Sequence, residues 1–229
     1  MLLPPDYDQL YFTSNRKEAT GDTISGITGA KLNDIFMSRK DETGAWMKPE
    51  HIESEINTIA DDGTTAFSND GASLYYTHTP IPDSIGSSIP AIYVSRRTGG
   101  SWSKGIKLEI NRRDTISVFA HPTINSTGDQ LYFVSDMPGG YGGKDIWRVS
   151  LVGDLVESIE NRGPDINTAG DEMFPHMRND SNHYFSSDGR VGIGGLDVRK
   201  RSLDDGNKRW RVGKVGYHNK TQGNEFGYT

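Results

Sequence analysis

The chain of 229 residues contains no cysteine. A structural disulfide and a thiolate zinc site are thereby excluded, although an oxidising compartment is not. No apolar run approaches the ~20 residues that a membrane-spanning helix requires. Positive charge is also scarce, with 25 Lys and Arg against 31 Asp and Glu, and the only basic cluster is the short Arg199 to Arg201. A nucleic-acid partner would need a basic face that this composition lacks. Met1 is followed by LLPPDYDQ, without the charged start and long apolar core of a signal peptide, so export would require a leader upstream of this segment.

What is abundant points to strands. The 27 Gly, 10 Pro, 10 Tyr and 8 Phe, with Ser, Thr and Asp throughout, suit many short strands joined by turns. The stretch LYFVSDMPGGYGGKDIW, residues 131 to 147, recurs in variant form. LYFTSN (10 to 15) is followed by NDIFMSR (33 to 39), LYYTHT (74 to 79) by AIYVSR (91 to 96), and HYFSSD (183 to 188) by LDVRKRS (196 to 202). With Asp34, Ala91, Asp145 and Asp197 taken as equivalent, the spacings are 57, 54 and 52 residues. A third segment begins at Trp46, Trp102, Leu155 and Trp210 and closes at Asn57, Asn111, Asn167 and Asn219. A fourth carries Phe67, Phe119, Phe174 and Phe226.

Four short antiparallel strands in each ~50-residue repeat cannot bury both faces alone, whereas stacking such sheets radially can. The expected fold is all-β, a β-propeller of four-stranded antiparallel blades, in one domain with units 1–57, 58–111, 112–167 and 168–219 and a closing strand 220–229. The C-terminal NEFGYT belongs to the class that precedes LYFTSN. It is expected to complete the first blade and close the ring, with part of a five- or six-bladed ring as the alternative and a single long sandwich as a further one.

The pattern of LYFxSD, a glycine run, DI with an aromatic or Val, and INT resembles the PD40, or TolB-like and WD40-like, β-propeller repeat. GDQLYFVSDMPGGYGGKDIW, INTAGDEMFPHM and YFSSDGRVGIGGLDV are similar to propellers of periplasmic OmpA-family proteins from bacteria that use type IX secretion. That resemblance implies an outer-membrane-associated periplasmic protein that binds other proteins. Peptidoglycan would be reached only through a separate domain. Ala91, His78 and Leu155 depart from the pattern, standing where Asp, Ser and Trp are usual.

The glycine run is not a nucleotide loop. Gly143-Lys144 is followed by Asp145 and preceded, five residues earlier, by Pro138, so the P-loop spacing fails. The dinucleotide fingerprint fails as well, because Asp145 stands three residues after Gly142. Gly139, Gly140, Gly142 and Gly143 are expected to supply positive φ in a hairpin, with Asp34, Asp145 and Asp197 accepting hydrogen bonds from loop amides. Calcium at Asp136 and Asp145 is the one cofactor these oxygens suggest. No cofactor is otherwise expected.

His121 in FAHP and His176 in FPHM are expected at one place in the innermost strand, with Tyr228 a third equivalent, and Glu172 and Glu225 beside them. They would line a central channel, either as polar lining or as a small-ligand or metal site. His51, His78, His183 and His218 show no metal spacing. No GxSxG elbow or HExxH pair is present. The reading is a non-catalytic binding scaffold whose contact loops are Lys17 to Lys31 and Thr79 to Pro90, two long insertions that also have the composition of disordered segments. An enzyme or small-ligand binder using the channel is the rival.

Overall fold

A computed structural model describes residues 8–25, 29–52, 55–81, 88–179, 181–192, 194–204 and 209–215. The fold class is the expected one: all-β, with sixteen strands in four antiparallel propeller-type blades and no helix among the described residues. The chain divides into two compact units, 1–108 and 109–229, each holding two blades.

In the first unit, β1 (Gln9–Ser14), β2 (Asp34–Arg39) and β3 (Glu50–His51) form a three-stranded sheet. The second sheet runs β4 (Asp61–Phe67), β5 (Ser73–Thr79), β6 (Ala91–Thr98) and β7 (Ser101–Trp102), with β8 (Ile106–Lys107) also paired to β6. Its last strand is thus broken in two. Tyr11, Ile35, Ile56, Leu74, Tyr76 and Trp102 make one core. The closing strand expected at 220–229 and its junction with residues 1–7 lie outside the described residues.

In the second unit the third sheet has the order β9 (Ala120–Ile124), β10 (Gln130–Ser135), β11 (Asp145–Val152), β12 (Leu155–Asn161). The fourth follows as β13 (Glu172–Asn179), β14 (Asn182–Ser187), β15 (Asp197–Asp204), β16 (Arg209–Lys214). Val134, Ile146, Ile166 and Phe185 form a core between them. All but the first residue of β10 are buried, on both faces of the strand, as a sheet covered on both sides requires. Ile56, Ile110 and Ile166, each followed by Asn, are buried plugs that end the outer segment.

The innermost strands correct one sequence alignment. Gly63 pairs with Thr77, Ala120 with Val134 and Met173 with Ser186, and in each strand a register shift follows. The next residues, Thr64, His121 and Phe174, all have positive φ, 44°, 52° and 52°. These three are therefore the equivalent bulge positions. Phe119 stands level with Asp62 and Glu172, so Phe67, Phe119 and Phe174 are not equivalents. His121 and His176 do not share a place either: His176 pairs with Tyr184 as Thr123 does with Tyr132 and Ala66 with Tyr75. The bulge accommodates an extra residue that side-chain alternation cannot reveal.

Candidate functional site

Asp34, Asp145 and Asp197 each begin the strand predicted for them, directly opposite Ser14, Ser135 and Ser187. All three carboxylates are buried. Asp34 Oδ2 accepts from the Thr20 amide at 2.6 Å and meets His51 Nε2 at 2.6 Å. Asp145 Oδ2 accepts from the Tyr141 amide at 2.5 Å and from Asn161 Nδ2 at 2.9 Å. Asp197 faces Arg199 Nη2 at 3.5 Å. The residue after each of the first two is clamped by an asparagine. Asn57 accepts from the Ile35 amide at 2.8 Å and donates to its carbonyl at 2.9 Å, and Asn167 does the same to Ile146 at the same distances. A side-chain amide here replaces a missing strand neighbour, which is why a short outer segment can end without stranding buried backbone groups.

A second carboxylate clamp follows in chain order. Thr58 donates its amide and hydroxyl to Asp62 Oδ2, both at 2.8 Å, and Thr168 does so to Glu172, both at 2.7 Å. Across the ladder Asp62 meets His78 Nδ1 at 2.6 Å, and Glu172 accepts from Ser187 Oγ at 2.6 Å. Burial pushes the Glu172 pKa up, against these hydrogen bonds. Asp34, His51 and Thr20 have the composition of a catalytic relay but not its geometry. Thr20 Oγ1, at 3.1 Å, and Asp34 Oδ2 both meet the same nitrogen, Nε2, so the imidazole cannot pass a proton between opposite nitrogens.

The glycine run is explained by close approach more than by φ. Of the four glycines only Gly139 has positive φ, at 96°. Gly140 lies against the Asp145 carboxylate, Gly142 against the backbone of Thr168 and Ala169, and Gly143 against Asp171, where a Cβ would collide. The loop docks on the connection into β13. Lys144 N donates to Asp171 Oδ1 at 2.7 Å, Gly143 N to the Gly170 carbonyl at 3.0 Å, and Glu172 N to the Lys144 carbonyl at 2.7 Å. Asn33 and Asp61 repeat the contact in the first unit, at 2.9 Å through the Asn33 side chain. At the pair suggested for calcium, Asp136 Oδ1 accepts from Val118 N at 2.8 Å and Asp145 is engaged as above. Among the described residues no three His, Asp or Glu side chains gather as a metal site would require.

The two histidines expected at one place in the innermost strand occupy different register positions. His121 stacks on Phe174, centroids 4.0 Å apart, and its Nδ1 accepts from the Phe174 amide at 3.4 Å. Burial, with the charge of Lys144, pulls its pKa to about 4 and keeps it neutral. His176 lies two residues farther along the strand from the position equivalent to His121, near the Tyr184 ring at 6.5 Å, and burial with the charge of Arg178 lowers its pKa. Tyr228 and Glu225 lie outside the described residues. The insertion from Lys17 to Lys31 carries more order than its composition suggests: Ile24 bridges Lys31, and Lys31 Nζ holds the Ala19 carbonyl at 3.0 Å. Of the second insertion, Ser88 Oγ donates to the Pro80 carbonyl at 2.7 Å, and residues 82–87 lie outside the description.

Two features escaped the sequence reading. Ile59 and Ile116, 63% and 80% exposed, each stand five residues before the equivalent bulge residues Thr64 and His121. Buried Arg199 and Arg201 fill positions that are aromatic and small elsewhere. Aligning DVRKR with DIFMS, AIYVS and DIWRV residue by residue would have found the arginines.

No protein-family profile matches the chain, and no curated protein sequence does. Among solved structures it is similar to TolB from Acinetobacter baumannii, with 15% identity over 92% of this chain and 42% of that one, TM-score 0.49. It is similar to a putative TolB from Agrobacterium tumefaciens, with 21% identity over 92% and 78%, TM-score 0.48. A periplasmic gluconolactonase from Pseudomonas aeruginosa matches at 12% identity over 92% and 69%, TM-score 0.47. The chain thus spans less than half of the first of these proteins.

Proposed function

We propose that this chain is a non-catalytic protein-interaction scaffold of the periplasm, associated with the outer membrane. Its finer role is that of a type IX secretion component like PorE, linking the machinery to the outer membrane and, through a separate domain, to peptidoglycan. The carrying observation is the placement of exposed apolar side chains. Ile24 and Ile59 in the first unit, and Ile116, Tyr141 and Val191 in the second, sit on the connections at the same end of their sheets as the docked carboxylates. Solvent-facing apolar residues on rigidly anchored loops are the anatomy of a contact surface. The two long insertions join strands at that same end. Amides, hydroxyls and imidazoles engage both oxygens of Asp62 and Glu172 and one oxygen each of Asp34 and Asp145, and so hold the loops above them in shape.

A photo-crosslinking residue at Ile59, Ile116 or Val191, introduced in the native bacterium, tests this. The loop positions are expected to capture a common outer-membrane or secretion protein, with Leu155 on the outer strand β12 remaining silent. Adducts from Leu155 alone, or none from any loop position, would sink the reading.

A further inference from the structure

The connections into three of the innermost strands differ in length. From the asparagine that ends the outer segment to the bulge residue, Asn57 to Thr64 and Asn167 to Phe174 each take seven steps along the chain, whereas Asn111 to His121 takes ten. Thr58, Thr115 and Thr168 each stand six residues before the bulge, so the extra residues are Arg112, Arg113 and Asp114. The insertion is folded. The Asp114 amide donates to the Asn111 carbonyl at 3.1 Å, and the Arg113 amide to Asn111 Oδ1 at 3.2 Å. Asp114 Oδ1 accepts from the amides of Ile116 at 3.1 Å and Ser117 at 2.9 Å. Buried Ile110 on one side, and Ser117 and Phe119 on the other, anchor the turn. Arg112, Arg113, Thr115 and Ile116 are left exposed.

Elsewhere at this end of the second unit the cations are engaged. Lys144 Nζ reaches Asp171 at 3.5 Å, Arg162 pairs with Glu160 at 3.0 Å, and Arg190 Nη2 donates to the Asp165 carbonyl at 2.7 Å. Among the described residues no carboxylate pairs with Arg112 or Arg113, and the acid beside them, Asp114, is held in its own turn. The corresponding stretches of the second and fourth sheets carry Asp61 with Asp62 and Asp171 with Glu172, while Phe119 takes the buried carboxylate's place here. In a chain of net charge −6, this turn is a local basic site around an 80% exposed isoleucine. An aliphatic side chain flanked by uncommitted guanidinium groups matches an apolar pocket rimmed by carboxylates, with which guanidinium forks pair two bonds at a time. A polyanion or a continuous anionic surface fits worse. Exposed Asp136, Asp165 and Asp188 stand on neighbouring connections at the same end and repel it.

We propose that the turn 111–117 selects the partner of the contact end, docking Ile116 into an apolar pocket of an acidic protein surface whose carboxylates pair with Arg112 and Arg113. This deepens the scaffold reading and rests on it. Elsewhere the chain's net negative charge disfavours such a partner, so the turn fixes where it lands.

A photo-crosslinking residue at Thr115, between the arginines and Ile116, is introduced in the native bacterium, and another at Val191. Both are expected to capture one protein, with the Thr115 adduct mapping to a peptide that has Asp or Glu beside an apolar residue. Arg112→Glu with Arg113→Glu should cut the Thr115 adduct about tenfold or more, the scale of reversing two charges at a contact. Arg112→Lys with Arg113→Lys should keep most of it, and Ile116→Ser should lose it as the Glu variant does. With the purified pair, added sodium chloride should weaken capture by the wild type and leave the Glu variant unchanged. An unaltered melting temperature marks the Glu variant as folded, and Arg112→Gln with Arg113→Gln replaces it otherwise. Full capture by the charge variant, a map to a basic peptide, or a lipid or nucleic-acid adduct overturns the proposal. Capture at Val191 with none at Thr115 overturns it while the contact end stands, and capture at no loop position removes both readings.

Discussion

The first and second units build the same two sockets and plug them differently. In the first unit Asp34 and Asp62 are each met by a histidine, His51 and His78. In the second, Asp145 is met by Asn161 and Glu172 by Ser187. The pairing registers show these to be the same positions: His51 lies opposite Phe36 as Asn161 lies opposite Trp147, and His78 opposite Asp62 as Ser187 opposite Glu172. What repeats is a buried carboxylate that takes a side-chain donor, on one oxygen only in Asp34 and Asp145, whose Oδ1 atoms find no partner among the described residues. Which side chain donates is open, and three different donor types serve.

The largest break in this comparison should come from the asparagine clamp. Asn167→Ala leaves the buried Ile146 amide without a partner and takes one of two donors from its carbonyl, which the Arg162 amide still meets at 3.1 Å, and the Nδ2 donor from Asn161 Oδ1, a loss of about 3 kcal/mol. In the second sheet the clamp is absent. Among the described residues the Asn111 side chain accepts from Arg113 N in its own turn, at 3.2 Å, and does not reach Ile92, whose carbonyl is met by the Leu108 amide at 2.8 Å as that of Ile146 is by the Arg162 amide. Asn111→Ala should therefore cost under about 1 kcal/mol. Urea unfolding of both variants, read through the buried Trp147 and Trp102, checks the contrast, and similar losses would show that the clamp carries no special weight.

The bulge position offers a test by pH, because it is His121 in the third sheet, and Thr64 and Phe174, which do not titrate, in the second and fourth. The folded His121 pKa, about 4, lies below the unfolded value near 6.5. Between those values the unfolded chain binds more protons, so this group's contribution is complete above pH 6.5 and is lost as pH falls toward 4. The loss amounts to about 3 kcal/mol at most. His121→Asn, which tolerates the left-handed φ and cannot titrate, should flatten the stability profile of the second unit over that window. An unchanged profile would move the acid sensitivity elsewhere, first to His176.

The second-layer strands were legible in the sequence because their anchor is chemical. Asp34, Asp145 and Asp197, and even Ala91, begin the strands predicted for them, since each sits where a loop must turn back against a Ser or His of the neighbouring strand. The innermost strands were not. FAHP and FPHM both place Phe two residues before His, but the bulge falls on His121 in one and on Phe174 in the other, so the motifs are offset by two residues and only backbone pairing reveals it. The Asp–His pairs bridge 17 and 16 residues with no motif between, so the histidines looked partnerless in one dimension. The glycine run was recognised as a turn, yet its main constraint, the backbone of Thr168 and Ala169 against Gly142, comes from a segment a full strand hairpin away.

The smallest expected effect is also the sharpest test of interchangeability. His51→Asn places in the first unit the side chain that serves the second. Asn is shorter than His and loses the edge contact of the imidazole with Phe36, centroids 5.4 Å apart, yet it keeps an N–H donor for Asp34. A cost of about 1 kcal/mol or less is expected, the range for a weakened hydrogen bond at a half-exposed side chain. His51→Ala leaves the Asp34 carboxylate with only the Thr20 amide and should cost about 2 kcal/mol. If the Asn variant falls as far as the Ala variant in urea unfolding followed at Trp102, the imidazole is a specific feature of the first unit. If it stays near the wild type, the socket needs only a donor, and the histidines of the first unit and the asparagine and serine of the second are alternative answers to one buried charge.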